Sequence, residues 1–582
     1  MDAPLEHDDQ GARHVVNRGP LRVLLILGVG GVLLWLVAGP YTRLFTASLF
    51  EWRDSTWHLD LSGWRELFFG LGDGLPNIEL EALRNSLTIS LLTVVLSAAI
   101  GIPLAFLVAR HDFPGRRIIA AVALVPLLLP PLVGAMAFYF LYAPSGIVTR
   151  LVQALFSLDR PPWAFRGYGA VLAVHAYSFY VYFYAFVSAG LARLDESRLE
   201  AAASLGASPA RRLFTVTLPL LTPALVAAAL LCFMQSMASF TAPYVLGGVR
   251  VLTTQLLESR QRTSLSLMHA ETVVLALVCV LFLLLLQWVE GRGDYRGGGK
   301  GAERRRVPLS HGLGRWALAA VGALATLVLL LPHLMLVLLS FADDAAWTTQ
   351  IVPPSYSLTA WRFALSEPAG QVPLINSLAM ATQATAANVF FAVLAAWLLA
   401  RVRFRGRGLA QALAVLPYAI PGTVTGLALA GWFSVHQPAM GRFVWLGTYT
   451  ILPLAYFVRS IPLTVRAVGA SLAQVDPSLE EAAATLGSPP ARVLTTVVLP
   501  LVAPGALVAA LLAFIAAVGE FVASIVLYTP ANRPVSMEIF GQFRAAYFAR
   551  GAAYGVALVL VTIAVLGLAS LIGRRRGAAV IG

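Results

Sequence analysis

Leu479 to Pro500 reads LEEAAATLGSPPARVLTTVVLP, and Leu199 to Pro219 reads LEAAASLGASPARRLFTVTLP. At a constant offset of 281, Glu200, Ala201, Ala202, Gly206, Leu218 and Pro219 fall on Glu481, Ala482, Ala483, Gly487, Leu499 and Pro500. Such self-similarity marks a duplicated unit. The local chemistry predicts a helix, a turn and a second helix. Asp476 suits the N-cap and Pro477 the first helical position. Glu480 and Glu481 sit in the first turns, where the helix dipole favours negative charge. Gly487 suits a left-handed C-cap, and Ser488, Pro489 and Pro490 end one helix and begin the next. Both copies lie between long apolar stretches, in corresponding places of the two halves. That placement favours a docking element over a plain connection.

Glu-Ala-Ala, three residues, Gly, nine residues, an aliphatic residue (Val216, Val497), one residue and Leu-Pro resembles the EAA loop of bacterial ABC importer permeases. Val stands where that family usually has Ile. In the family this loop is a cytoplasmic coupling helix that fits a groove on an ATPase subunit. The resemblance therefore implies ATPase coupling by Glu200, Ala201, Ala202, Gly206, Leu218 and Pro219, and by Glu481, Ala482, Ala483, Gly487, Leu499 and Pro500. It implies two ABC ATPase subunits on one face, a substrate-binding protein on the other, and a bilayer between. It implies no catalytic residue and no cofactor on this chain, since ATP-Mg belongs to the ATPase subunits. The expected fold is all-α and polytopic, the type I importer permease fold.

The 582 residues are 58% hydrophobic and 12% charged, with mean hydropathy +0.76. That composition excludes an ordinary soluble core. The net charge of +13 invites a nucleic-acid reading, but the basic residues gather in the loops between apolar runs, which argues against it. Cys232 and Cys279 both lie in apolar segments, and the histidines are scattered without metal-ligand spacing, so no metal site is expected. Asp294 at the first Gly position and Gly301 at the Ser/Thr position argue against reading GGGK as a phosphate loop.

About 20 apolar residues cross a bilayer core. That criterion predicts twelve spans: roughly 21–40, 84–109, 118–142, 168–191, 219–240 and 271–289, then 315–340, 376–400, 409–434, 446–468, 500–528 and 551–573. The segments read as a tail at 1–20, a first permease half at 21–290 (core 81–290, EAA loop 195–219), a Gly- and Arg-rich linker at 291–314, and a second half at 315–582 (core 372–573, EAA loop 476–500). With both termini and both EAA loops inside, 26 of the 42 basic residues are inside and 15 outside, as the positive-inside rule requires. The expected location is the bacterial inner membrane.

The repeat extends further. Asn85-Ser86-Leu87 matches Asn376-Ser377-Leu378, Arg110 matches Arg401, and Pro126 and Pro130 match Pro417 and Pro421, all at an offset of 291. The ten extra residues of the first half fit an outer loop near Pro144 to Arg166. Six spans per half make the repeats parallel, about an axis along the membrane normal. The prolines predict kinks in the third and ninth spans, and Asn85 and Asn376 read as helix caps.

Glu520 stands out as an ionisable residue at membrane depth, which makes it a pathway candidate. Its counterpart is Ser239. Arg459, with Ser178 as counterpart, is a conceivable partner for Glu520. Fused chains with both halves resemble the ferric-iron and thiamine importer permeases, and some aminoethylphosphonate permeases. Polyamine and oxyanion permeases resemble each half but usually come as separate chains. Ferric iron is the expected solute. An ion-driven secondary transporter would need paired intramembrane carboxylates or broken helices at matched positions; Ser239 opposite Glu520 argues against it, and so do the EAA loops.

Overall fold

The computed structural model describes residues 20–53, 56–70, 76–192, 194, 196–261, 264–291, 307–308, 313–343, 351–434 and 444–575. The expected tail, up to residue 19, and nearly all of the 291–314 linker lie outside these residues. Among the described residues helices dominate, and strands are confined to two-residue and four-residue pieces. Among the described residues ten helices are long and apolar enough to cross a membrane, or up to twelve if each of two sharply bent pairs is one span.

In chain order the helices that matter are α1 (Arg22–Ala47), α2 (Ile78–Arg110), α3 (Pro131–Tyr142), α4 (Gly167–Ala192), α5 (Glu196–Ser204), α6 (Thr222–Met237), α7 (Thr241–Leu246), α8 (Leu252–Gln261), α9 (Leu265–Gly291) and α10 (Leu313–Ser340). The second series is α11 (Pro368–Arg401), α12 (Arg407–Ala419), α13 (Gly422–Trp432), α14 (Ile451–Leu472), α15 (Pro477–Thr485), α16 (Leu499–Val518), α17 (Ser524–Leu527), α18 (Val535–Arg544) and α19 (Phe548–Arg575).

The expected kinks are full breaks. α12 and α13 meet at 116° across Ile420 and Pro421, because proline offers no N–H to continue the ladder. The matching place in the first half is a short 3₁₀ turn, Val125–Leu128, before Pro131 opens α3. The stretch where the extra residues are expected holds the helix Ile147–Leu155.

The chain packs as two compact units. One comprises residues 59–361 and 542–556. Its centre is α2 against α4, closed by α6, with Ala105, Tyr180, Val181, Tyr184 and Leu221 buried together. Gly101 permits the approach, since a Cβ there would stand 2.4 Å from the Tyr180 carbonyl oxygen. The aromatic run on α4 is packing: Tyr180 donates to the Ala123 carbonyl at 2.9 Å, and Tyr177 to the Leu329 carbonyl of α10 at 2.7 Å.

The other unit comprises residues 1–58, 362–541 and 557–582. Here α11, α14 and α16 pack on one another, and α1 lies along α12 and α13. Tyr41 on α1 shares a 2.9 Å hydrogen bond with Thr425, Trp35 stands edge-on to Phe433, and Arg22 donates to the Arg403 carbonyl. The two units therefore do not coincide with the two halves of the sequence. α1 opens the first half but packs on the core of the second, and α10 opens the second half but packs on the core of the first. Hydrophobic length alone carries no information on which bundle a span joins.

Candidate functional site

Both repeated polar segments fold as helix, turn, helix. In the second, the Asp476 carboxylate accepts from the Ser478 N–H at 2.9 Å, and Pro477 opens α15. That hydrogen bond holds the Asp476 carboxyl below its usual value. Gly487 then takes φ +83°, a region costly for any residue with a Cβ. The Gly487 and Ser488 N–H groups bond back to the carbonyls of Ala484 and Ala483, closing the helix end. In the first segment Gly206 takes φ +79°, and the Gly206 and Ala207 N–H groups bond to Ala203 and Ala202. Each segment continues through a π turn, Leu213–Thr217 or Leu494–Val498, in which the Leu218 or Leu499 N–H reaches back five residues. Pro219 and Pro500 follow.

The turn tips present a feature that residue matching did not single out. Leu205 is 88% exposed and Leu486 87% exposed, at matching positions just before the two glycines. Glu200 and Ala201 are exposed beside Leu205, and Ala482 beside Leu486. A large apolar side chain held out at a turn tip, twice, is a knob that the described residues leave uncovered.

The segments are fastened differently. Glu480 is buried, its carboxylate 2.8 Å from Arg401 Nε and accepting from Trp397 Nε1 at 3.1 Å. Arg401 also donates to the Val475 carbonyl. In the first segment the matching residue is Leu199, and Arg110 lies over the Phe106 ring at 4.9 Å.

The intramembrane candidates share a second motif. α6 stops at Met237 and α7 starts at Thr241, leaving Ser239 in a helix break. α16 stops at Val518 and α17 starts at Ser524, leaving Glu520 in the equivalent break. Thr253 donates to the Ser239 carbonyl at 2.7 Å, and Ser536 to the Glu520 carbonyl at 2.8 Å. The side chains differ. Ser239 Oγ meets His175 Nε2 at 2.9 Å, within a buried polar group that includes Ser236 and Thr93. The Glu520 carboxylate is 3.3 Å from Arg459 Nε and accepts from the Ala523 N–H at 2.8 Å. The conceivable pair is thus formed.

The Asn-Ser-Leu repeat has a corrected role. Asn77 caps α2, so Asn85 lies inside the helix. Asn85 donates to the Arg250 carbonyl and Ser86 accepts from the Leu252 N–H, while Asn376 donates to the Arg533 carbonyl and Ser377 accepts from the Val535 N–H. Each pair ties the long span to the start of α8 or α18. The caps are therefore those of α8 and α18, supplied across the fold, and not of the spans that carry the residues.

Two homologous bundles with paired exposed tips and broken spans define a membrane permease built from a duplicated unit. Residues 101–293 and 388–577 each match the family described as binding-protein-dependent transport system inner membrane component, and the chain belongs to that family. It is a multi-pass inner-membrane permease of the ABC importer class. The chain is 32% identical over 467 residues to a probable ABC transporter permease of Sinorhizobium fredii, covering 79% of this chain and 81% of that one. It is 26% identical over 497 residues to the ferric transport system permease of Actinobacillus pleuropneumoniae, covering 84% and 70%. It is 41% identical over 139 residues to the sulfate transport system permease of Salmonella typhimurium, covering 23% and 50%.

Proposed function

We propose that this chain is the fused membrane subunit of an importer for ferric iron, with one ATPase subunit docked at each EAA segment and a binding protein delivering the ion to the opposite face. The single observation in favour of iron is coverage. The ferric permease aligns with 84% of the chain, through both halves, whereas the sulfate permease aligns with 23%. Thiamine, aminoethylphosphonate, polyamine and oxyanion remain the competing solutes.

The docking surface comprises Glu200, Ala201, Ala202, Gly206, Leu218 and Pro219, with Glu481, Ala482, Ala483, Gly487, Leu499 and Pro500, centred on the Leu205 and Leu486 tips. The short alanine side chains allow a partner close to the helix, and each leucine offers an apolar anchor for a pocket. ATP-driven closure of the ATPase pair would draw the segments together and tilt the spans behind them. The breaks at Ser239 and Glu520 are the places where the spans can line a pathway, since irregular backbone at membrane depth is tolerated only against protein or water. Glu520 faces Arg459, so the local charge is balanced, and any attraction for a cation would require the pair to open. ATP-Mg is bound by the partner subunits, and the termini face the ATPase side.

The test is uptake of radiolabelled ferric iron by proteoliposomes holding the chain, its ATPase and its binding protein. Uptake that needs all three, and is not displaced by thiamine, aminoethylphosphonate, polyamine or sulfate, supports the reading. ATP-dependent uptake of one of those solutes in its place overturns the iron assignment.

A further inference from the structure

Four buried oxygen-bearing side chains meet at the end of α2 remote from the first EAA segment. Glu79 comes from the first turn of α2, Gln255 and Ser259 from α8, and Glu271 from α9. All four are buried, and Glu271 completely. Gln255 Nε2 donates to Glu79 Oε2 at 3.2 Å. The Glu271 carboxyl touches Glu79 and Ser259, and the next charge acting on it is Glu66 of the helix Ser62–Phe69. No cationic side chain is among the groups acting on Glu271. Among the described residues Gln255 Oε1 is buried without a hydrogen-bond donor, and the buried Glu271 carboxyl has the Ser259 hydroxyl alone beside it as a donor.

Two carboxylates in contact, out of water and without a counter-charge, repel each other and forgo their hydration. Something positive has to sit between them. One shared proton would bridge a single pair of oxygens and leave the Gln255 carbonyl oxygen bare. A divalent cation cancels both charges, and the Gln255 amide, turned over so that its carbonyl oxygen rather than its NH2 faces Glu79, joins them as a ligand. Among the described residues no group of three or more His, Cys, Asp or Glu is set to hold a metal. This cluster reaches four ligating groups only through an amide and a hydroxyl. An all-oxygen set that includes an amide carbonyl suits calcium, which accepts roughly six to eight oxygens in flexible geometry. Magnesium usually keeps several waters, which a closed site does not readily admit.

We propose that Glu79, Gln255, Ser259 and Glu271 form a structural calcium site that fastens α8 and α9 to the start of α2. The inference does not depend on which solute is transported. It is tested on the full-length chain, purified in detergent with a chelator and then titrated with calcium chloride, reading radiolabelled calcium bound and Tm. The expected result is about one calcium per chain and a saturable rise in Tm of several degrees. Magnesium should give a smaller rise. Glu271→Gln removes a charge while keeping the shape, and should abolish both the binding and the rise. If Glu271→Gln does not accumulate, Ser259→Ala serves instead, with calcium bound roughly tenfold or more weakly. Equal melting in chelator and calcium, with no ion bound, would overturn the proposal and leave the carboxyls sharing a proton. Calcium binding unchanged in both variants would overturn it as well, since the ion would then lie elsewhere.

Discussion

At position 480 the second EAA segment holds a buried carboxylate between Arg401 and Trp397, where the first carries Leu199, with Arg110 and Phe106 at the matching places on α2. The exposed tips are alike: both leucines project, and both glycines take the same left-handed turn. The tips proposed to dock are alike, and what fastens the segment to its own bundle differs. An apolar anchor fails gradually when trimmed. A buried ion pair fails abruptly when one partner is lost, because the other charge is stranded.

The largest expected effect follows from that asymmetry. Arg401→Leu strands Glu480 and should cost about 3–5 kcal/mol. The double variant Arg401→Leu with Glu480→Leu, which gives the second segment an apolar anchor like the first, should recover most of the loss. Arg110→Leu in the first half should cost far less. Thermal melting and ATP-dependent uptake of the three variants check this. A double variant no better than Arg401→Leu would show that the pair does more than fasten the segment.

Gly206→Ala and Gly487→Ala sharpen the likeness between the segments. A Cβ at either glycine meets nothing within 4 Å, so the cost is conformational alone, about 1–2 kcal/mol for each. Melting should place the two variants within a few tenths of a kcal/mol of each other. Leucine in place of either glycine should also cut uptake, by reshaping the tip.

The helix breaks give the next contrast. Glu520→Gln keeps an acceptor for the Ala523 N–H but loses the ion pair with Arg459, while Ser239→Ala loses one hydrogen bond with His175. Uptake should fall several-fold in Glu520→Gln and much less in Ser239→Ala, with ATPase stimulation by the binding protein retained in both. Intact uptake with a lowered Tm in Glu520→Gln would make the residue a structural bond only.

The smallest effect concerns Asp476, for which the first segment has Asp195 at the matching position. Hydrogen bonding from Ser478 lowers its folded pKa. Its contribution is therefore complete above the unfolded value of about 4 and is lost as pH falls through the lower folded value. Asp476→Ala should melt slightly below the parent at neutral pH and coincide with it in acid. A gap that persists in acid would mean that the side chain acts through something other than its charge.

Much of this fold was legible in the chain. The helix-turn-helix of the two EAA segments could be read because Asp, Pro and Gly act locally, within one turn of the residues they control. The breaks at Pro126 and Pro421 could be read for the same reason. The Glu520 break was less visible, because a window of apolar residues runs through Gly519 without interruption. The exchange of α1 and α10 between bundles left no local trace, since membrane spans carry little beyond length and polarity. Glu480 read as a dipole-stabilised first-turn acid, yet its partners lie 79 and 83 residues earlier in sequence. Leu205 and Leu486 also match at the offset of 281, but only the fold distinguishes an exposed leucine from a buried one.

The central claim is that the two leucine tips are where the ATPase subunits dock. It is tested most directly by isolating the tagged permease, as Leu205→Arg, Leu486→Arg and the double variant, from membranes that also carry its ATPase, and by quantifying the ATPase retained. Both side chains are exposed, so the variants should insert and melt like the parent. The account predicts about half the ATPase with either single variant and close to none with the double. Full retention by a correctly inserted double variant would contradict it.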